Sequence, residues 1–104
     1  MLNKVYQVPY GTKDILPGEM KRRRKIENAI LDIFENWGYE EVKTPGFEYA
    51  DTFGSMVKDS DFRFFDRNNN LLVLRNDMTA PIARLAATRL QQEEGSKRLC
   101  YLAN

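Results

Sequence analysis

A carboxylate and a hydroxyl two residues apart, Asp77 and Thr79, stand where an apolar run gives way to a helical pattern. The segment reads Leu71-Leu72-Val73-Leu74-Arg75-Asn76-Asp77-Met78-Thr79-Ala80-Pro81-Ile82-Ala83-Arg84. The apolar run stops at Arg75-Asn76-Asp77, and the helix opens with Thr79 and Pro81 in its first turn. A strand-to-helix corner exposes the N–H groups of the first helical turn, here with an acidic side chain beside them. Asp77 and Thr79 could together grip a small ligand that carries an ammonium group. A carboxylate accepts a charge-assisted bond from such a group, and a hydroxyl can accept a second. Both residues are also good helix caps, worth about 1 kcal/mol, and capping is compatible with binding.

Few other residues offer chemistry. The chain has no histidine, which excludes His general bases, Ser-His-Asp triads and His-containing zinc sites. The single cysteine, Cys100, lies in Arg98-Leu99-Cys100-Tyr101-Leu102 and reads as a buried strand residue. No intrachain disulfide can form, which suits a reducing cytoplasm. The carboxylates Asp51, Asp59, Asp61 and Asp66 are scattered, with no pairing that would separate two pKa values for acid–base work. Lys21-Arg22-Arg23-Arg24-Lys25 is a run of basic residues, but consecutive helical residues point about 100° apart and cannot form one flat patch. Arg23 and Glu27, four apart, are expected to neutralise each other in part. Phe62, Phe64 and Phe65 suit the core of a sheet packed under helices better than a base-stacking platform.

The composition agrees with a small soluble fold. At 104 residues the chain is one domain or part of one, and its 42% apolar residues can support a modest core. The 16 basic and 15 acidic residues leave a net charge of +1, which provides no global footprint for nucleic acid or membrane. The N-terminus has no signal-peptide core, and no apolar run approaches the roughly 20 residues of a membrane span.

The elements that must position the corner follow from periodicity. Residues 1–16 read as an irregular arm. Residues 17–37 form an amphipathic helix, with Pro17 in the first turn, apolar positions at Met20, Ile26, Ala29, Ile30, Ile33, Phe34 and Trp37, and Gly38 as terminator. Tyr39–Thr44 alternates like a strand and stops at Pro45-Gly46. Phe47–Phe53 is a short helix or a loop, and residues 54–61 look mobile. Phe62–Arg67 and Leu71–Arg75 flank Asn68-Asn69-Asn70 as a hairpin. A second helix is expected over Ala80 to about Gln92, capped by Thr79 and ended by Gly95. Its stripe of Ile82, Leu85, Ala86, Arg89 and Leu90 faces the sheet. Lys97–Ala103 begins a last strand.

Three segments carry a family resemblance in the right order. Tyr10-Gly11-Thr12-Lys13-Asp14-Ile15-Leu16-Pro17 resembles the Gly-Thr/Phe-x-Asp-x-Leu-Pro opening of histidyl-tRNA synthetase-like proteins. The helix ending at Gly38, with Tyr39-Glu40-Glu41-Val42-Lys43-Thr44-Pro45 after it, resembles class II synthetase motif 1. Leu74–Arg84 resembles the Arg-Pro-Glu-Gly-Thr corner of the synthetases. It is closer to the Arg-Pro-Asp-Met-Thr version of a non-catalytic branch, the regulatory subunits of ATP phosphoribosyltransferase. Ser60-Asp61-Phe62-Arg63-Phe64-Phe65 also looks like that branch, whereas Asn76 departs from both patterns, which have proline there.

The resemblance implies an α+β fold of class II aminoacyl-tRNA synthetase type, an antiparallel sheet flanked by helices that is usually dimeric through motif 1. It implies that residues 1–104 are the N-terminal part of the catalytic-core domain, cut before motif 2. For the regulatory branch it implies a non-catalytic, histidine-sensing role in a glycosyltransferase complex, in the first step of histidine biosynthesis. The partners would be the ATP phosphoribosyltransferase catalytic subunit, L-histidine in the full-length parent, and a second copy through self-association. Asp77 and Thr79 would contact the histidine α-amino group, with no catalytic residue, cofactor or metal. The alternative is a fragment of a histidyl-tRNA synthetase, which activates histidine with ATP and charges tRNA.

Overall fold

A computed structural model of the chain describes residues 3–54, 57–93 and 95–103. The chain divides into two compact units, Met1–Glu41 and Val42–Asn104.

The first unit holds an irregular arm with one 3-10 turn, Lys4–Tyr6, then helix α1 (Pro17–Asn36) and the two-residue strand β1 (Glu40–Glu41). Pro17 sits in the first turn and Glu19 complements the positive end of the helix dipole. The end of α1 is tightly built. Gly38 adopts φ +81°, its N–H bonds the Glu35 carbonyl at 2.9 Å, and the Tyr39 N–H reaches back to Phe34 at 2.9 Å. This is the Schellman pattern, and its usual apolar contact is present as a T-shaped Phe34–Tyr39 pair at 5.3 Å. The expected stripe is in place but no residue of α1 is buried, and Ile26, Ile30, Ile33 and Trp37 remain exposed. The basic run is paired differently from expectation. Arg23 bonds Glu19 at 3.5 Å, while Glu27 pairs with Arg24 at 3.4 Å.

The second unit is a three-stranded antiparallel sheet with two helices. Strands β2 (Phe47–Tyr49), β3 (Arg63–Phe65) and β4 (Leu71–Leu74) lie in the order β2-β4-β3. Helix α2 (Ala50–Phe53) follows β2 directly, helix α3 (Thr79–Arg89) follows the corner, and β5 (Leu99–Cys100) comes last. In register, Glu48 and Arg63 both oppose Val73, and Tyr49 and Phe64 both oppose Leu72. The first set faces the core, where Val73, Phe53 and Ala80 are buried together with Ala50 and Val57 against them. The second set, with Phe47 and Leu74, lines the other face.

Several elements differ from their sequence reading. Phe47–Phe53 is neither helix nor loop throughout: it is strand, then helix, because Phe47 and Tyr49 pair with β4. The strand expected over Tyr39–Thr44 is regular only at Glu40–Glu41, and the carbonyls of Thr44 and Pro45 accept from the Arg75 side chain instead. The hairpin forms as expected, with Asn69 at φ +63°. Its aromatic residues, however, are not core: Phe62, Phe64 and Phe65 are all exposed. Phe64 meets Phe47 edge-on at 5.5 Å on the face that also carries the buried Leu72. Of the stretch 54–61, residues 55 and 56 lie outside the described residues, and Lys58 to Asp61 form a hydrogen-bonded turn. Helix α3 ends at Arg89, well before Gly95, and passes into a turn closed by the Glu93 N–H and the Leu90 carbonyl at 3.1 Å. Cys100 is buried in β5, as read.

Candidate functional site

The corner between β4 and α3 brings Asp77 and Thr79 together. Asp77 Oδ1 accepts the Thr79 N–H at 2.7 Å. This bond starts the helix at Thr79 and leaves Met78 in the cap position, where Thr79 had been expected. Thr79 is therefore the first helical residue, and the carboxylate two positions earlier satisfies its orphan donor. The Met78 carbonyl begins the helical ladder by accepting from Ile82 at 3.0 Å. Met78, Ala80 and Pro81 are buried, whereas Asp77 and Thr79 are exposed. The buried residues anchor the backbone and the two polar residues face outward. With one carboxylate oxygen committed to the backbone, the corner presents a second carboxylate oxygen and a hydroxyl. Acceptors of these two kinds suit a donor-rich cation such as an ammonium.

Long-range polar ties hold the corner in place. Arg75 Nη1 donates to the carbonyls of Thr44 at 3.2 Å and Pro45 at 3.0 Å, and the Arg75 N–H bonds the Gly46 carbonyl at 3.2 Å. Asn76 Nδ2 donates to Asp61 Oδ2 at 3.0 Å. Further along α3, Arg84 grips Glu48 of β2. Arg84 Nε lies 3.2 and 3.0 Å from the two carboxylate oxygens, and Nη2 lies 3.0 Å from Oε1. Glu48 is only 7% exposed. A forked guanidinium matches a carboxylate in this way, and such pairs stay buried only when both partners are present.

Glu48, Arg84 and Arg75 were not singled out as site residues from the sequence. Their signal was slight: one acid flanked by aromatics in Phe47-Glu48-Tyr49, and one arginine among the apolar positions of α3. The other acids serve the frame. Asp61 closes the 57–61 turn by accepting the Lys58 N–H at 2.7 Å. Asp66 organises the hairpin loop by accepting the N–H groups of Asn70 at 2.8 Å and Asn68 at 2.9 Å. Those bonds, led by the Asn70 N–H, hold its pKa below the usual carboxylate value. Asp51 and Asp59 are exposed and contribute no acid pair.

A separate open cleft of about 620 Å³ runs beside β2, lined among others by Thr44, Pro45, Phe47, Glu48, Arg84 and Leu85. Asp77 and Thr79 do not line it. The Thr44 hydroxyl is buried there without a hydrogen-bond partner. Among the described residues, no group of three His, Cys, Asp or Glu is placed to hold a metal, and no helix is long and apolar enough to cross a membrane.

The profile of the histidyl-tRNA synthetase family matches residues 11–104. The chain belongs to that family. Within it, the chain is 46% identical to the ATP phosphoribosyltransferase regulatory subunit of Moorella thermoacetica, over 97% of its own length and 27% of that relative's. Among solved structures of the family, it is similar to an ATP phosphoribosyltransferase regulatory subunit/histidyl-tRNA synthetase from Bacillus halodurans C. There the TM-score is 0.85 at 38% identity, over 94% of this chain and 27% of the other. It is also similar to apo histidyl-tRNA synthetase of S. aureus, with a TM-score of 0.79 at 31% identity, over 91% of this chain and 24% of that one. The fold is therefore the class II synthetase one anticipated from the motifs. The chain spans about a quarter of the length of each of these relatives.

Proposed function

We propose that this chain is the N-terminal part of the class II synthetase-like domain of an ATP phosphoribosyltransferase regulatory subunit. In this reading the parent has no catalysis of its own. It assembles with the catalytic subunit in the cytoplasm, in the first step of histidine biosynthesis, and senses L-histidine. The corner then serves as one wall of the histidine site, with Asp77 and Thr79 on the α-amino group. The observation that carries the reading is the 46% identity to a regulatory subunit, which extends over 97% of the chain. The corner supports it, since Asp77 is held in an outward-facing position by its bond to the Thr79 N–H. The synthetase alternative rests on shared fold, as with the S. aureus enzyme.

The test uses the full-length protein that contains this chain. Mixed with a short-form catalytic subunit, it should co-elute with that subunit and make phosphoribosyl transfer sensitive to L-histidine. It should give no histidine-dependent exchange of pyrophosphate into ATP. Such exchange above background would favour the synthetase and sink the regulatory reading. Self-association belongs to the same proposal. The exposed stripe Ile26, Ile30, Ile33 and Trp37 on α1 suits a second copy, and a monomer near 12.2 kDa by light scattering at high concentration would count against it.

A further inference from the structure

The two residues of the corner lie between two anchor points of one turn. On the N-terminal side, Asn76 Nδ2 donates to Asp61 Oδ2 at 3.0 Å. On the C-terminal side, Ala80 sits in the buried cluster with Phe53 and Val73, against which Val57 packs. The turn from Val57 to Asp61 is thus tied to the corner through Asn76 and packs through Val57 on the buried cluster that includes Ala80. It is itself well closed. Asp61 Oδ2 accepts the Lys58 N–H at 2.7 Å and the Asp61 N–H returns to the Lys58 carbonyl at 3.0 Å. Arg63 Nη2 donates to that same carbonyl at 3.1 Å. A single carboxylate oxygen therefore closes the turn and holds the corner.

We propose that Asp61 and Asn76 are positioning residues for the ligand corner: the bond between their side chains clasps the Val57–Asp61 turn across the start of α3 and fixes the backbone that presents Asp77 and Thr79. The proposal rests on the reading of this corner as a ligand site, and it supplies that site with rigidity from outside the helix.

The experiment is amide hydrogen exchange by NMR on the 104-residue chain, read at Thr79, whose N–H is held by Asp77. Loss of the Asn76–Asp61 bond should raise Thr79 exchange about five- to ten-fold in Asn76→Ala, and at least as much in Asp61→Ala, which also removes the Lys58 bond that closes the turn. The double variant should exchange no faster than the faster single variant, because both changes remove the same bond. Asp61→Asn keeps an acceptor oxygen and should restore most of the protection. A residue that merely shapes its own turn would show neither the response to Asn76→Ala nor the non-additivity. Unchanged Thr79 exchange in Asn76→Ala, or additive effects in the double variant, would overturn the proposal. If Asp61→Ala does not fold, Asn76→Ala and Asp61→Asn carry the test. The ligand reading is scored separately, by titrating L-histidine into the full-length protein that contains this chain. A corner that loosens on cue in a full-length protein that does not bind L-histidine supports the clasp and counts against the ligand.

Discussion

Two acid-centred constellations sit on the same helix and are built in opposite ways. At the start of α3, Asp77 is exposed and spends one oxygen on a backbone N–H. Two turns later, Arg84 closes a two-oxygen grip on Glu48, which is 7% exposed. A recognition group must keep acceptor capacity open to solvent, so it contributes little to folding. A buried pair must spend all of its capacity, so it offers nothing to a ligand while the fold depends on it. Under the proposed ligand reading, the same residue chemistry is divided between binding and holding, according to how many partners the protein already supplies.

The sharpest way to break this contrast is to remove one partner of the buried pair. Arg84→Ala leaves the Glu48 carboxylate buried and unpaired, and is expected to cost about 3 kcal/mol of stability. Glu48→Ala leaves an arginine whose side chain is 33% exposed and can turn to water, so its cost should be smaller, about 1–2 kcal/mol. Replacing both with leucine should recover much of the loss, because buried pairs are often no better than packed apolar residues. Urea denaturation of the four proteins measures this. Equal, near-zero costs for both single variants would mean that the pair is not buried in solution.

Asp77→Ala should show the reverse signature. In this chain it removes one capping bond, so the stability cost is about 1 kcal/mol. In the full-length parent it should weaken histidine binding by about 1.5–3 kcal/mol, the range for a hydrogen bond to a charged group. Thr79→Ala should weaken binding by less. Calorimetry on the parent decides the matter. Unchanged affinity in a folded Asp77→Ala variant would make the corner a helix cap and nothing more.

The contrast also explains what could be read from the sequence. The corner that holds Asp77 and Thr79 was legible because it is local, although the cap falls at Met78 and not at Thr79. A strand ending and a helix starting within a few residues require a corner, and its polar residues are capping types. The α1 boundary at Gly38 and the Asn69 turn were legible for the same reason, since each needs a left-handed residue at a fixed offset. Glu48 and Arg84 are 36 positions apart, and nothing in the local pattern of either says that the other will meet it. The strand at Phe47–Tyr49 was hidden likewise, because three residues carry too little alternation and its pairing with β4 is a tertiary event. The exposed Phe62 and Phe65 misled in the other direction. Aromatics in a hairpin suggest a covered sheet, yet in this chain both remain exposed, one on each face.

Asp66 offers the smallest effect and the finest discrimination. Like Asp77 it accepts backbone N–H groups, but it takes two of them, from Asn68 and Asn70, and adds the Asn70 side-chain amide at 3.2 Å. Asp66 is thus a purely structural acid on the surface, saturated where Asp77 is left open. Its pKa is lowered from the ordinary 3.8, first by the Asn70 N–H. The direction of the linkage follows. The unfolded chain takes up the proton at higher pH than the folded one, so the contribution of Asp66 is fully present above its unfolded pKa. It is lost as the pH falls from there through the lower folded value. Between about pH 5 and about pH 2, the urea midpoint of the unsubstituted chain should therefore fall more steeply than that of Asp66→Asn, which keeps an acceptor oxygen and no titrating group. The hairpin amides of Asn68 and Asn70 should lose exchange protection over the same interval. Parallel pH curves for the two proteins would show that the loop is held by its backbone bonds alone, with the carboxylate a bystander.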